Sequence, residues 1–208
     1  MGRYTEAVCR LCRRQGEKLF LKGPRCSSVK CAVAKGRPVP GQHGQRRSKL
    51  SNYGLQLKEK QKVKRIYGVM EKQFRRYFKM ASKSKGVTGK VLLQLLERRL
   101  DNVVFRLGLA VSRAQSRQIV GHNFIYVNSR RVNIPSYLVK QGEIVELRAK
   151  EKAKNKIKDN LELTKDRTVP SWLEFNLAQM QAKIMRLPEK EDIPAMIKEQ
   201  LIVELYSK

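Results

Sequence analysis

The stretch Ser112-Arg113-Ala114-Gln115-Ser116-Arg117-Gln118-Ile119-Val120-Gly121-His122-Asn123-Phe124-Ile125-Tyr126-Val127-Asn128 decides the fold. Ser112 and Gln115 are spaced as an S-x-x-Q capping box, so a helix opens here. It runs through Ile119 and Val120 and is expected to stop at Gly121. The period then changes from helical to alternating over Phe124–Val127, the pattern of a strand. Asn128-Ser129 is a turn, Arg131-Val132-Asn133-Ile134 a second strand, and Pro135-Ser136-Tyr137 its end. Gln141-Gly142 turns the chain into a third alternating run, Glu143-Ile144-Val145-Glu146-Leu147. Just upstream, Val103, Val104 and Leu107 mark the apolar face of a helix that ends at Gly108. The unit reads as a helix pair on a small, curled antiparallel sheet. Arg106, Arg113, Arg117, Arg130 and Arg131 lie on the second helix and nearby turns, and a helix N-terminus carrying Arg113 is a ready phosphate site.

Upstream the pattern is helical. Val63, Ile66, Tyr67, Met70, Phe74, Tyr77 and Phe78 recur at steps of three and four, with Gly68 as an expected break. Lys62, Arg65, Lys72, Arg76 and Lys79 occupy the other side, with Glu59 and Glu71 the acids among them. So few acids cannot pair that stripe within the helix, so it is read as facing phosphate. Ser82–Gly86, with Lys83 and Lys85, is a loop. Thr88 is positioned to cap a helix with a dense apolar side from Leu92 to Leu100.

All four cysteines lie in the first 31 residues, as Cys9-x2-Cys12-x13-Cys26-x4-Cys31. Two close pairs can supply four thiolates to one structural, tetrahedral zinc ion, with no position left open for chemistry. The segment has few large apolar residues, so a metal gives it a reason to be ordered. Arg10, Arg13, Arg14, Arg25 and Lys30 surround the thiols and are expected to lower their pKa values. Disulfides are disfavoured in an intracellular chain. Four thiolates also suit an iron–sulfur cluster. The linker Gly36–Arg47, rich in Gly and Pro, has no regular element. It carries Arg37, His43, Arg46 and Arg47, with His43 read as an RNA contact or turn residue.

The 208 residues hold 46 Lys plus Arg against 18 Asp plus Glu, a formal net charge of +28. A compact protein so charged needs an anionic partner, nucleic acid or an anionic membrane surface. The longest large-apolar run, Phe124–Val127, is far shorter than the roughly 20 residues of a spanning helix, so no transmembrane segment is expected. Met1–Glu6 shows no apolar signal core, and an intracellular nucleic-acid binder is the leading class. Residues 1–104 carry a net +21, residues 105–167 a net +8 and residues 168–208 a net −1. The last segment therefore reads as core or protein-facing surface, with Trp172 inside and a short strand near Leu173–Phe175. The lysines at 150, 152, 154, 156 and 158 read as a helix start, a loop tethered over RNA, or a solvated run.

Residues 112–128, Val132–Tyr137 and Gly142-Glu143 resemble the S4-type RNA-binding domain, with Asn123 and Ser129 where that family often has Gly. The flanks resemble the uS4 family of bacterial small-subunit ribosomal proteins, in its zinc-bearing four-cysteine version. The matching residues are Gly2-Arg3-Tyr4, the cysteines, Pro40–Gly44, Glu59–Gly68, Glu71–Phe78, Arg98–Val104 and Leu201–Lys208. The resemblance implies an α+β chain: a mainly helical domain with an inserted S4-type domain and a zinc-binding N-terminal extension. The expected division is 1–47 for the extension, 48–97 plus 168–208 for the helical domain, and 98–167 for the S4-type domain with a basic trailing segment.

It further implies a cytoplasmic structural protein of the small ribosomal subunit, not an enzyme. The family binds small-subunit rRNA directly, nucleates assembly of the subunit body, meets ribosomal protein uS5 in a contact bearing on translational accuracy, and lies near the mRNA entrance. The candidate metal ligands are Cys9, Cys12, Cys26 and Cys31. The candidate rRNA contacts begin with Arg3, Arg10, Arg13, Arg14, Lys22, Arg25, Lys35, Arg37, His43, Arg46 and Arg47. In the helical block they are Lys62, Arg65, Lys72, Arg76, Lys79, Lys83 and Lys85. In the S4-type domain they are Arg106, Arg113, Arg117, His122, Asn123, Asn128, Arg130 and Arg131. Two other classes fit less well. RNA-modifying enzymes with S4-type domains carry a large catalytic domain, whereas only 58 residues follow Lys150 and Asp159, Asp166 and Asp192 lie in no catalytic setting. A zinc-dependent DNA regulator needs a recognition helix in its zinc module.

Overall fold

The computed structural model describes residues 2–44, 49–194 and 196–207. The chain forms two compact units, one of residues up to Leu92 together with those from 195 onward, the other Leu93–Pro194.

The first unit contains α1 (Cys9–Gln15), a 3-10 turn at Gly23–Cys26, α2 (Asn52–Ile66), α3 (Glu71–Lys83), the start of α4 (Thr88–Glu97) and α8 (Glu199–Tyr206). Ser51 caps α2 by accepting the Gly54 N–H at 3.2 Å. The break foreseen at Gly68 is present, with Gly68 at φ 63° between α2 and α3. Val63, Ile66, Tyr67, Phe74 and Tyr77 are buried, so these aromatics are core. The last helix closes this core. Gln56 Nε2 donates to Glu204 at 2.9 Å, and the Lys198 N–H donates to Glu59 at 2.9 Å. Tyr206 stacks on Phe78 with centroids 4.4 Å apart.

The second unit contains the rest of α4, α5 (Leu100–Arg106), α6 (Arg113–Gly121), β1 (Ile125–Val127), β2 (Arg130–Arg131), β3 (Ile144–Leu147), α7 (Glu151–Leu163), β4 (Leu173–Asn176) and β5 (Gln181–Ile184). The sheet has the order β2-β1-β3-β5-β4, with every pair antiparallel. Its core gathers Leu100, Val103, Val104, Leu107, Ile119, Val120, Ile125, Val145, Trp172 and Ile184.

Several expectations change in detail. The apolar helix from Leu92 to Leu100 is divided at Arg98-Arg99, because Arg99 forms an isolated bridge with Leu138 and the Leu100 N–H donates to Tyr137. Ser112 accepts the Gln115 N–H at 3.3 Å, but Gln115 Oε1 takes the Val111 N–H at 2.8 Å, one residue before a reciprocal capping box. The second strand is only two residues long. The β1–β2 hairpin turns on Asn128 at φ 47° and Ser129 at φ 63°, the left-handed pair that a two-residue type I′ turn requires. Residues 168–194 do not join the helical unit. Trp172 is fully buried in the second core, and β4 and β5 extend the sheet through β3. Backbone pairing outweighs the near-neutral charge that had separated this segment from the module.

Candidate nucleic-acid interface

In the first unit, α1 and the turns after it bring the cysteines into one neighbourhood. Cys12, Cys26 and Cys31 are buried and Cys9 is half-buried. Three sulfurs receive backbone N–H groups: Cys12 from Leu19, Cys26 from Lys22 at 3.3 Å, and Cys31 from Val33 and Ala34. Burial pushes the Cys12 thiol up, and the three other cysteines push the same way. The Ala34 N–H pulls Cys31 down, with Lys18 and Arg25 adding less. At Cys12 and Cys31 the expected lowering by the surrounding arginines is thus not the leading effect. Backbone donors and burial dominate because they lie closest to the sulfurs. Among the described residues no group of three or more His, Cys, Asp or Glu side chains stands ready-made around a metal position.

Around this segment Arg3, Arg10, Arg14, Lys22, Arg25, Lys35, Arg37 and His43 are exposed. Arg13 is half-buried and its Nη1 donates to the Pro38 carbonyl at 3.0 Å, fastening the linker to α1. Arg46 and Arg47 lie outside the described residues.

The basic stripe divides into an exposed part and a buried part. Lys72, Arg76 and Lys79 on α3 are exposed, as are Lys83 and Lys85 after it. Lys62 is buried and paired with Glu17 and Glu59, each at 3.2 Å, so it does not face outward as expected. Its position three residues after Glu59 puts both on one face of α2. Arg65 is half-buried beside Gln15, and burial lowers its pKa. Glu71 gathers Lys60 and Lys64, each at 3.0 Å, and the Tyr206 hydroxyl at 3.0 Å. Burial alone would raise the Glu71 carboxyl, but these three donors hold it at about 2.

In the second unit, three of the expected RNA arginines serve the protein interior. Arg106 makes a fork to the fully buried Glu97 at 2.7 and 3.0 Å. Asn102 also donates to Glu97, at 2.6 Å. Arg113 donates to Asn102 Oδ1 at 2.9 Å and lies 4.3 Å from the Phe105 ring, whose other cation neighbour is Arg167 at 4.0 Å. Arg117 is 3.8 Å from Asp101, which also holds the buried Arg99 at 2.6 Å. These arginines are inward because buried carboxylates and amides must be partnered.

Arg130, Arg131 and His122 are exposed. Asn123 and Asn128 hold turns: Asn123 has φ 66°, and Asn128 Oδ1 accepts the Ile144 N–H at 2.9 Å. The residues 150–158 gain a definite place. Lys150 stands just before the first turn of α7, and Lys152, Lys154, Lys156 and Lys158 are exposed along it. They were not among the candidate contacts, although Ala153, Ile157, Asn160, Leu161 and Thr164 recur at helical steps and would have shown the helix. Each unit therefore offers exposed cations to a polyanion, the first through α3 and the N-terminal segment and the second through α7 and the β1–β2 hairpin, and neither assembles a catalytic constellation among the described residues.

Comparison with known proteins agrees with this geometry. Residues 3–97 match the ribosomal protein S4/S9 N-terminal domain, and residues 98–145 match the S4 domain. The chain is 58% identical over 208 residues to small ribosomal subunit protein uS4 of Acetivibrio thermocellus, covering all of both chains. It is 56% identical, again over the full length of both, to the proteins of that name from Pelotomaculum thermopropionicum and Thermodesulfovibrio yellowstonii.

Proposed function

The chain belongs to the uS4 family of small ribosomal subunit proteins, and from that premise we propose how it works: it holds folded small-subunit rRNA through exposed cations on each of its two units. It is a structural protein of the cytoplasmic ribosome and not an enzyme. The observation that carries the RNA reading is the surplus of exposed cations on α3, α7 and the hairpin, left over after the buried acids have taken Lys62, Arg106 and Arg117. A-form RNA hides its base edges in a deep, narrow groove, so a folded junction is read chiefly by shape and phosphates. Cations spread over preformed elements suit that task. The contacts are Arg3, Arg10, Arg14, Lys22, Arg25, Lys35, Arg37, His43, Arg46, Arg47, Lys72, Arg76, Lys79, Lys83, Lys85, His122, Arg130 and Arg131. Early binding here nucleates assembly of the subunit body. Contacts with ribosomal protein uS5 and with mRNA at its entrance complete the role.

A single structural zinc ion belongs to this reading. Cys9, Cys12, Cys26 and Cys31 would hold it. In support, three of the four are buried together, and the Ala34 N–H draws the Cys31 thiol toward thiolate, the form a metal binds. Zinc would supply order to a segment with little apolar core of its own.

The rRNA reading is tested by binding to protein-free small-subunit rRNA over a range of salt. Affinity falls steeply with salt, because many phosphates are neutralised, and the protein co-sediments with small subunits. A flat salt response overturns it. Metal analysis of the purified protein gives one zinc per chain. Cys9→Ser lowers that ratio and loosens the N-terminal segment, while the unit of residues 93–194 stays folded.

A further inference from the structure

Helix α7 lies outside both family matches, which end at residue 145, yet it forms one side of a groove within the second unit. The other side is the C-terminal half of α6. The groove encloses about 580 Å³, within the roughly 300–1,000 Å³ range of small-ligand sites. Resting on the rRNA reading above, we infer that this groove takes one unstacked nucleotide of the bound RNA.

The floor is apolar: Ile119 and Ile157 are buried, and Phe124 is half-buried. The His122 and Phe124 rings lie 6.0 Å apart with a 34° tilt, giving the groove two neighbouring aromatic rings on which a base can stack. Bases splayed from single-stranded RNA stack on such rings, histidine included. Gln118 and His122, both exposed, bring hydrogen-bonding groups to the wall, and Lys152 and Lys156 bring cations to the rim. Apolar floor, polar wall and cationic rim match the base face, base edge and phosphate of one nucleotide.

The groove is also held in shape. Gln115 Nε2 on α6 donates to Asn160 on α7 at 3.2 Å, and Asn160 in turn donates to the Leu109 carbonyl at 3.2 Å. Thr164 Oγ1 donates to the Gly108 carbonyl at 2.9 Å. These bonds fix the inner half of α7, so the cavity exists before RNA arrives and needs little reordering on binding.

The test uses the full chain and protein-free small-subunit rRNA. Crosslinking at 254 nm followed by trypsin places a crosslinked nucleotide on the peptide Gln118–Arg130. His122→Ala combined with Phe124→Leu, which keeps the floor apolar, weakens rRNA binding about fivefold or more. Its salt slope is unchanged, because no phosphate contact is lost. Lys152→Gln with Lys156→Gln weakens binding and makes the slope shallower. Unchanged affinity in the ring variant, with no crosslink on that peptide, overturns the inference. So does a loss confined to the lysine variant, which makes the groove a phosphate rail with no base in it. Failure of the wild-type chain to bind rRNA at all is a different result and would overturn the rRNA reading itself.

Discussion

Helix α3 and the α5–α6 pair carry the same kind of side chain and use it in opposite directions. On α3, Lys72, Arg76 and Lys79 stand exposed, and among the described residues none forms an ion pair. On α5 and α6, Arg106, Arg113 and Arg117 turn inward to Glu97, Asn102 and Asp101. The difference lies in the neighbours. The one acid on α3, Glu71, is occupied by Lys60, Lys64, Tyr206 and its neighbour Arg75, so Lys72, Arg76 and Lys79 are left for an outside anion. Around α5, two buried carboxylates demand cations, and the arginines that satisfy them are withdrawn from the RNA surface. A basic residue is a candidate contact only after the buried acids within its reach have been counted.

The sharpest way to break this contrast is Glu97→Ala. It leaves Arg106 and Asn102 facing a buried gap, and loss of one partner of a buried pair costs about 3–5 kcal/mol. Urea unfolding followed in the second unit measures it, and a loss under about 1 kcal/mol would show that Arg106 is free to serve RNA instead. The reverse test is Lys72→Gln, Arg76→Gln and Lys79→Gln together. Stability stays within about 0.5 kcal/mol, while the salt dependence of rRNA binding becomes shallower by about 2–3 in log–log slope. An unchanged slope would remove α3 from the footprint.

Glu71 sharpens the comparison through pH. Its carboxyl is held at about 2 against an ordinary 4.5, so the unfolded chain takes up the proton first. The stability it contributes is complete above about pH 4.5 and is lost as the pH falls toward about 2. Glu71→Gln should therefore flatten the fall in Tm across that window, and an unaltered acid limb would place the acid sensitivity elsewhere. The smallest effect is expected at the hairpin. Ser129 sits at φ 63°, a conformation costing an L-residue about 1 kcal/mol more than glycine. Ser129→Gly should stabilise the second unit by about that much in urea, less its weak 3.4 Å contact with Arg148. The salt slope stays unchanged, since Arg130 and Arg131 keep their charge.

Much of the fold is legible in the sequence wherever the signal is local. The change of period between Ile119 and Phe124, the turn at Asn128-Ser129 and the break at Gly68 all depend on residues within a few positions of one another. Strand β5 is less visible, because its partner β3 lies about 40 residues upstream and Ala182 and Ile184 are its only buried residues. The inward turn of Arg106 has a signal that charge counting overlooks: Glu97 follows Leu92, Leu93, Leu95 and Leu96 on a helix whose apolar side is buried, so it must find a cation. For Lys62 the signal is Glu59, three residues before it. For α7, lysines on alternate positions disguise the helical recurrence of Ala153, Ile157 and Asn160.

The contact of α8 with α2 fixes an order of events in time. Gln56 and Glu204 are hydrogen-bonded across 148 positions of chain. Everything between Leu92 and α8 must be made before the first core is closed, although its other helices are translated first. At about 5–20 residues per second, the wait from Leu92 to Tyr206 is roughly 6–23 s. During it, Phe74 and Phe78 lack the Tyr206 ring that stacks on them, while the second unit is complete as soon as its own residues have emerged. A nascent chain whose residues up to 194 have just left the ribosome would then carry a finished second unit and a first unit still lacking α8.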